Sequence, residues 1–598
     1  MRSAPHPPTR WLLTALLGLG TVTALILAMS AGSQAAGATA FVFPVPNGHF
    51  ASPRTQITFR GVPASALGTV TVTGSRSGAH AGRIVADSDG NGASFIPNTL
   101  FRANETVTVT AGVAISGGSG NSFSFTIGDP APAVPGAYPK PAPRTNGDVA
   151  RFASRHDLLP ARVQVTKRPV HAAPGDIFLA PQNGPYQEGP MIVGPYGGLI
   201  FFLPAPKGDA VTDFRTQTYL GKPVLTWWQG AVSHAGTGSG HDVIYDSNYH
   251  QLAFFDAGNG LHADLHEFEI TPRNTALITG YYSVYVTTGS GTAARKRLVL
   301  DAVAQEIDIP TGNVLYQWDS LDHVPLTASY QPAPGNPNHP WDYFHINALQ
   351  PLSDGSILIS SRNAWAAFDT SGQTGAINWT LGGKLSTFKM GSGAQFAFQH
   401  DLRLRPGNLV TVFDDGAGPP AVHKQSRGLT LKLDFSKKTA DVVGSDEHGG
   451  PSLLAFYEGN VQPLANGDDF VGWGQQPYAT EFDKRGHEVF DLRFVGQNSS
   501  YRAYRFSWTG TPTRPPAIAS AVHRGHTTVY ASWNGATGVH SWRVLAGPRA
   551  NALTPVATHG RTDFEVTVPL QGREAYVAAQ ALDIHGHVMG TSRTIKGY

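Results

Sequence analysis

The chain specifies an all-β fold, and three observations carry that reading. Its 598 residues include 68 glycines and 44 prolines but only 14% charged residues, too few for the Lys/Glu faces of exposed helices. Short stretches alternate apolar and polar residues between Gly, Asn and Asp turns, the period-two pattern of strands with one buried face. In the middle of the chain a polar turn followed by a strand of large apolar residues recurs about every 50 to 60 residues, the mark of a repeated sheet unit.

The first element is a targeting segment. Arg2 and Arg10 precede an apolar run from Trp11 to Met29, and Ser33-Gln34-Ala35 and Ala36-Gly37-Ala38 are small-residue cleavage sites. Residues 1–38 therefore read as a signal peptide and the protein as secreted or extracytoplasmic. The 19-residue run is also long enough, at ~1.5 Å per residue, to stay behind as a membrane anchor. No cysteine occurs anywhere, so disulfides, thiolate nucleophiles and lipidated cysteines are excluded. A net charge of +2 with interspersed signs gives no footprint for nucleic acid.

Residues 39–128 alternate in short strands such as Thr55-Gln56-Ile57-Thr58-Phe59 and Ser122-Phe123-Ser124-Phe125-Thr126, which predicts a small β-sandwich. Residues 129–172 open on Asp129-Pro130-Ala131-Pro132 and Pro139-Lys140-Pro141-Ala142-Pro143, a stiff stretch expected to act as a linker. Within residues 173–512 the repeat is clearest at Ala364 to Trp379, Glu306 to Trp318 and Thr480 to Phe490, with weaker copies ending near Phe202, Phe255 and Val443. Six such sheets bury their faces by packing radially, which predicts a six-bladed β-propeller. Ring closure should pair Asp176-Ile177-Phe178-Leu179 with the stretch from Tyr501 to Trp508. Residues 513–598 alternate again and resemble a fibronectin type III module.

Three repeat units begin their expected innermost strand with a histidine: His266 before Glu267-Phe268-Glu269-Ile270, His345 before Ile346-Asn347, and His400 before Asp401-Leu402-Arg403-Leu404. A lone strand histidine is usually a packing residue, but matched positions in a radial array converge on its axis. The period of two puts His345 and Asn347 on one face. Arg362 ends the second strand of the same unit, where the bland alternative is a surface salt bridge worth ~0–1 kcal/mol. Trp227, Trp228, Trp365 and Trp473 lie near the unit openings as candidate walls for an aromatic ring, with core packing as the plainer role.

The stretches Leu265-His266-Glu267-Phe268, Asp342-Tyr343-Phe344-His345-Ile346-Asn347, Ser360-Ser361-Arg362, Leu381-Gly382-Gly383 and Phe398-Gln399-His400-Asp401 resemble the arylsulfotransferase family over about Pro174 to Thr511. That resemblance implies a six-bladed propeller with an N-terminal sandwich domain, and transfer of a sulfuryl group from a phenolic sulfate ester to a phenol without a nucleotide donor. It implies that His400 is the transiently sulfated nucleophile, that His266, His345 and Arg362 contact the sulfuryl group, and that Asn347 matches the family's asparagine. Trp365 and Trp473 are the expected substrate-binding aromatics. A neutral imidazole attacks sulfur, a guanidinium and two histidines hold the sulfuryl oxygens, and His345 or His266 protonates the departing phenoxide. This scheme calls for no metal and no cofactor. The chain departs from the family in lacking cysteine and in carrying the C-terminal module, and His262 competes with His266 for one role. The rival reading is a non-catalytic secreted propeller that binds an anionic or carbohydrate ligand at the cell envelope.

Two further signals are discounted. Asp87-Ser88-Asp89-Gly90-Asn91-Gly92 opens like a calcium loop but has Asn98 at its twelfth position, so a hairpin turn is expected. His262 and His266 are spaced for a metal only on a helix, and the alternation around them says strand.

Overall fold

The computed structural model describes residues 39–134, 147–184 and 187–598. The fold is all-β, with about half of the chain in strands and 2% in helix. Residues 1–38, and with them the expected export segment, lie outside the described residues. Among the described residues no helix is long and apolar enough to cross a membrane.

In the N-terminal part, a five-stranded sheet runs in the order Gly82–Ala86, Gly92–Pro97, Ile57–Arg60, Thr39–Phe43 and Ala114–Ile115. A four-stranded sheet contains Gly78–His80, Thr71–Gly74, Thr106–Thr110 and Ser122–Thr126. Alternation sends Val42, Phe59 and Phe95 from one sheet and Val107, Val109, Phe123 and Phe125 from the other into a single apolar cluster. The Asp87–Gly92 segment is the turn of a hairpin, closed by the Asp87 amide on the Gly92 carbonyl at 3.0 Å. Arg60 binds both acidic side chains of that turn, Asp87 and Asp89.

The middle of the chain is a succession of antiparallel meanders. Asp176–Gln182, Met191–Val193 and Leu199–Phe202 form the first, and Asp176–Gln182 also pairs with Ser499–Phe506 from the far end of the region. The register, Asp176 opposite Phe506 and Phe178 opposite Tyr504, joins the two ends that the sequence nominated. Two meanders follow, Ala210–Tyr219 to Gln251–Phe255 and Ala263–Ile270 to Val314–Asp319, linked where Gly240 pairs with Ala263. The remaining three run from Ile346–Pro351 to Ile377–Gly382, from His400–Arg405 to Thr439–Asp446, and from Asn460–Pro463 to Glu488–Phe494. The repeat visible in the sequence is the last hairpin of these units, as in Ala366–Ser371 with Ile377–Gly382. Neighbouring meanders share their cores. Leu358, Ala367 and Leu381 pack with Val410, Val412, Leu429 and Leu431 from the next unit. Each fully buried leucine there contributes ~1.5–3 kcal/mol.

The segment expected as a separating linker does more than separate. Val163–Lys167 adds a fifth strand to the last meander, with Val163 opposite Phe494, and Leu158 and Ala161 are buried in the adjoining core. The reason is the alternation of Val163-Gln164-Val165, which supplies a strand edge after the proline-rich part has ended. The C-terminal residues form a sheet of Ala517–His523, His526–Ser532 and Glu565–Pro569, and a second built on Ser541–Arg549 and Tyr576–Leu582. Trp542, Val544, Val566 and Val577 fill the space between them. Asn534 exchanges two hydrogen bonds with the Phe202 backbone, at 2.8 and 3.0 Å, so this part is docked on the first meander.

Side chains from the inner strands build a buried ionic cluster. Arg502, fully buried, donates to Asp213 at 2.8 Å, to Glu267 at 3.1 and 3.2 Å and to the Asn347 carbonyl at 3.0 Å. Arg215 also binds Glu267, and Arg403 binds Glu267, Glu269 and Asp401. Opposite charges this close, with their hydrogen bonds largely satisfied, are what make burial of so many ions tolerable.

Candidate active site

His266, His345, Arg362 and His400 line one cavity of about 520 Å³. The local backbone explains how strands present them there. Strand pairing slips between Ala263 and Phe268, between Ile346 and Ala348, and between His400 and Arg403, so His266 lies within an irregularity, His400 opens one and His345 immediately precedes one. Such irregularities re-aim side chains out of the regular alternation. His345 has φ +55°, and Phe398 and Asp401 flank His400 at +56° and +50°. Non-glycine residues occupy this region only when their surroundings hold them there.

Every one of the three imidazoles is held at Nδ1 by an aspartate. His266 meets Asp264 at 2.5 Å, His400 meets Asp415 at 2.9 Å, and His345 meets Asp342. Asp264 is fixed in turn by the Gly238 amide at 2.5 Å and the Thr279 hydroxyl at 3.1 Å. The rings of His266 and His345 pack edge to face with centroids 4.7 Å apart, and Tyr501 lies 5.9 Å from His266 and 6.3 Å from His400. His400 is 1% exposed, and its Nε2 accepts the Glu458 amide N–H at 3.2 Å. That bond requires a lone pair on Nε2, which puts the ring proton on Nδ1 with Asp415 as its acceptor.

Electrostatics keep the nucleophile candidate neutral. Burial, reinforced by Arg362, His345 and His266, holds His400 well below the usual histidine range. Burial also lowers His345, with Asp342 opposing, and raises Asp415, with Arg362 opposing. A histidine neutral in the fold and free to protonate when unfolded leaves stability unchanged above its ordinary pKa and lowers it as pH falls beneath that value. Activity that needs neutral His400 is therefore expected to persist as pH drops through 6.5 and to fail only further into acid. A kcat/KM profile already half lost at 6.5 or above on its acid side would contradict this assignment.

Arg362 is no surface salt bridge. Its guanidinium donates to Asn363 Oδ1 and to the Phe456 carbonyl, both at 2.9 Å, its Nε has no partner, and among the described residues no carboxylate closes an ion pair with it. It lies 4.9 Å from the Phe398 ring centre. The backbone ties it to His345, whose carbonyl accepts the Arg362 amide at 2.9 Å.

Other expected residues lie elsewhere. Asn347 is fully buried and does not line the cavity. The backbone turn at His345 breaks the alternation that would have put the two on one face, and Asn347 Nδ2 instead donates to the Gln399 carbonyl at 2.6 Å, bracing the residue before His400. Trp473 is a core residue, hydrogen-bonded to Thr480 Oγ1 at 2.9 Å and packed edge-on against Phe413. Trp365 stacks on Tyr330 at 3.7 Å, outside the cavity lining, so its role is to hold the loop that carries Arg362. Trp227 and Trp228 are buried in the core. Among aromatic residues, Trp341, Tyr457 and Tyr501 face the cavity instead. His262 is exposed and bound to Asp256 at 2.8 Å, which leaves His266 as the residue at the site. Asp264, Asp342, Asp415 and Glu458 escaped the sequence reading. Asp264 and Asp342 stand two and three residues before their histidines, a spacing that could have flagged them, whereas Asp415 and Glu458 reach the site only through tertiary packing.

Residues 215–495 match the family described as arylsulfotransferase (ASST), a span that contains all four site residues. This segment belongs to the arylsulfotransferase family. The match supports an arylsulfotransferase-like role for the chain. No curated protein matches the chain. Among solved structures, a Bacteroides caccae protein of unknown function is similar at 13% identity over 55% of this chain and 98% of its own, with a TM-score of 0.33. The periplasmic gluconolactonase PpgL of Pseudomonas aeruginosa is similar at 12% identity over 66% of this chain and 99% of its own, with a TM-score of 0.29. Likenesses this distant carry no functional argument.

Proposed function

We propose that the protein is an aryl sulfate sulfotransferase that moves a sulfuryl group from a phenolic sulfate ester to a phenol by ping-pong chemistry through a sulfohistidine at His400. One observation carries the reading: three aspartate-held histidines share a cavity with a guanidinium that has no carboxylate partner among the described residues, within the family-matched segment. Nδ1–H on His400 leaves the Nε2 lone pair for sulfur once the Glu458 amide yields it. A sulfate ester in the cavity then has its sulfuryl oxygens held by Nε2–H groups of His266 and His345 together with Arg362. These donors match a loose SO3-like transition state, as in phosphoryl transfer.

The same reading takes the six meanders as blades of a closed propeller, flanked by a β-sandwich and a fibronectin type III-like module, in a protein exported through residues 1–38. The strand pairing between Asp176–Gln182 and Ser499–Phe506 supports closure.

Intact-mass analysis after exposure to a phenyl sulfate donor tests the function. The expected result is a gain of one sulfuryl group, discharged by adding a phenol. A protein that binds the donor yet gains no mass would be the non-catalytic anion-binding propeller instead.

A further inference from the structure

The mechanism leaves one proton without a carrier. When His266 and His345 hold sulfuryl oxygens, their Nε2–H groups are engaged, and their Nδ1 atoms are held by Asp264 and Asp342. His400 is the nucleophile, and its own proton faces Asp415. The aryl oxygen, which must leave as a phenol and be replaced by a deprotonated acceptor, needs another group.

Glu458 has the required position. It lines the same cavity and follows Tyr457 in the loop before the last meander. Its backbone, at φ +73°, turns the amide N–H onto His400 Nε2, which ties the residue to the nitrogen that would attack sulfur. One carboxyl oxygen accepts Gln182 Nε2 at 2.7 Å, while Oε2 is shielded from solvent and has no hydrogen-bond partner among the described residues. A buried carboxyl oxygen without a partner is costly unless it carries a proton or meets a ligand. The titratable groups around it are His400, Asp415, Arg362 and Tyr457. Burial raises the carboxyl to about 8, with the Gln182 bond opposing, so it is a neutral acid at pH 7 that can give a proton and take it back.

Resting on the sulfohistidine reading above, we propose that Glu458 carries the phenolic proton in both half-reactions, which fits the enzyme to sulfate esters of weakly acidic phenols. In the first half, the S–O bond to the aryl oxygen breaks as His400 Nε2 bonds to sulfur, and the phenoxide takes the Glu458 proton to leave as the neutral phenol. The sulfated ring keeps its Nδ1 proton on Asp415, and Glu458 becomes a carboxylate. In the second half, the acceptor phenol returns a proton to Glu458, its oxygen attacks sulfur, the N–S bond breaks, and neutral His400 is restored. Charge and protons balance over the cycle, and no further reactant enters.

The test compares donors that differ in the acidity of the released phenol. With Glu458→Gln, which keeps the backbone contact to His400, kcat/KM for phenyl or alkyl-phenyl sulfate should fall roughly 10²–10³-fold. 4-Nitrophenyl sulfate, whose phenoxide departs unaided, should lose less than about tenfold, and the variant should still gain one sulfuryl group from it. The wild-type kcat/KM should show an alkaline limb near pH 8 that Glu458→Gln abolishes. A uniform loss across donors, or an unchanged alkaline limb, would overturn the role of Glu458 while leaving the sulfohistidine intact. A wild-type protein that gains no sulfuryl group would instead remove the parent reading. The wild type alone gives a check that needs no variant: kcat/KM should depend only weakly on leaving-group acidity below pH 8 and steeply above it, and a steep dependence throughout would also overturn the proposal.

Discussion

Substituting His400 with alanine is expected to abolish covalent sulfation and to lower sulfuryl transfer by roughly 10⁴-fold or more, the scale seen when a nucleophile is removed from a unit of cooperating residues. In the proposed scheme His266 and His345 donate to the sulfuryl oxygens, and Arg362 has no nucleophilic lone pair, so none of them replaces the lost Nε2. Residual donor binding should survive, since the guanidinium and two histidines remain. Mass spectrometry and initial rates on the folded variant check both parts. Retention of the adduct in His400→Ala would assign the nucleophile to another residue. The substitution also strips Asp415 of its described side-chain partner, so thermal unfolding should be recorded beside the kinetics to keep loss of fold separate from loss of chemistry.

The second large effect concerns stability. Arg502→Met is expected to cost about 3–5 kcal/mol, because it removes the cation that Asp213 and Glu267 share and leaves their buried charge under-compensated. Arg502 is 1% exposed and also donates to the Asn347 carbonyl, so its loss reaches the strand that follows His345. Arg215 and Arg403 still face Glu267 and hold part of its charge, whereas Asp213 keeps one cation, Arg215 at 3.4 Å, and the Tyr504 hydroxyl at 3.1 Å. Pairing Arg502→Met with Asp213→Asn should recover a portion of the loss, since one uncompensated charge goes with its partner. Chemical denaturation measures both. A cost under about 1 kcal/mol for the single substitution would mean that water screens the cluster, as it does for surface pairs.

Much of the architecture was legible because strands write their burial into every second residue. The hairpins from Ala366 to Leu381 and from Thr480 to Phe490 could be read from a polar turn between two apolar runs, and the pairing of Asp176 with Phe506 followed from the need to close a chain of repeated sheets. Prolines dominate the first half of the expected linker, and the alternation around Val163 is too short to announce the strand that its second half adds to the last meander.

At the site, local sequence is enough to tell which units carry histidines and that Arg362 follows His345 through one hairpin, because repeat position and hairpin register are local properties. It failed for Asn347, since a single residue at positive φ ends the period of two, and for Trp473 and Trp365, since an indole fills a core as readily as it walls a cavity. Only the packed structure reveals which aspartate holds His400, that no carboxylate among the described residues pairs with Arg362, and that the backbone amide of Glu458, 58 residues on, meets His400 Nε2. Those facts depend on how neighbouring meanders are placed side by side. That placement is set by the summed packing of many apolar side chains and by the buried ion cluster, and no short stretch of sequence encodes it.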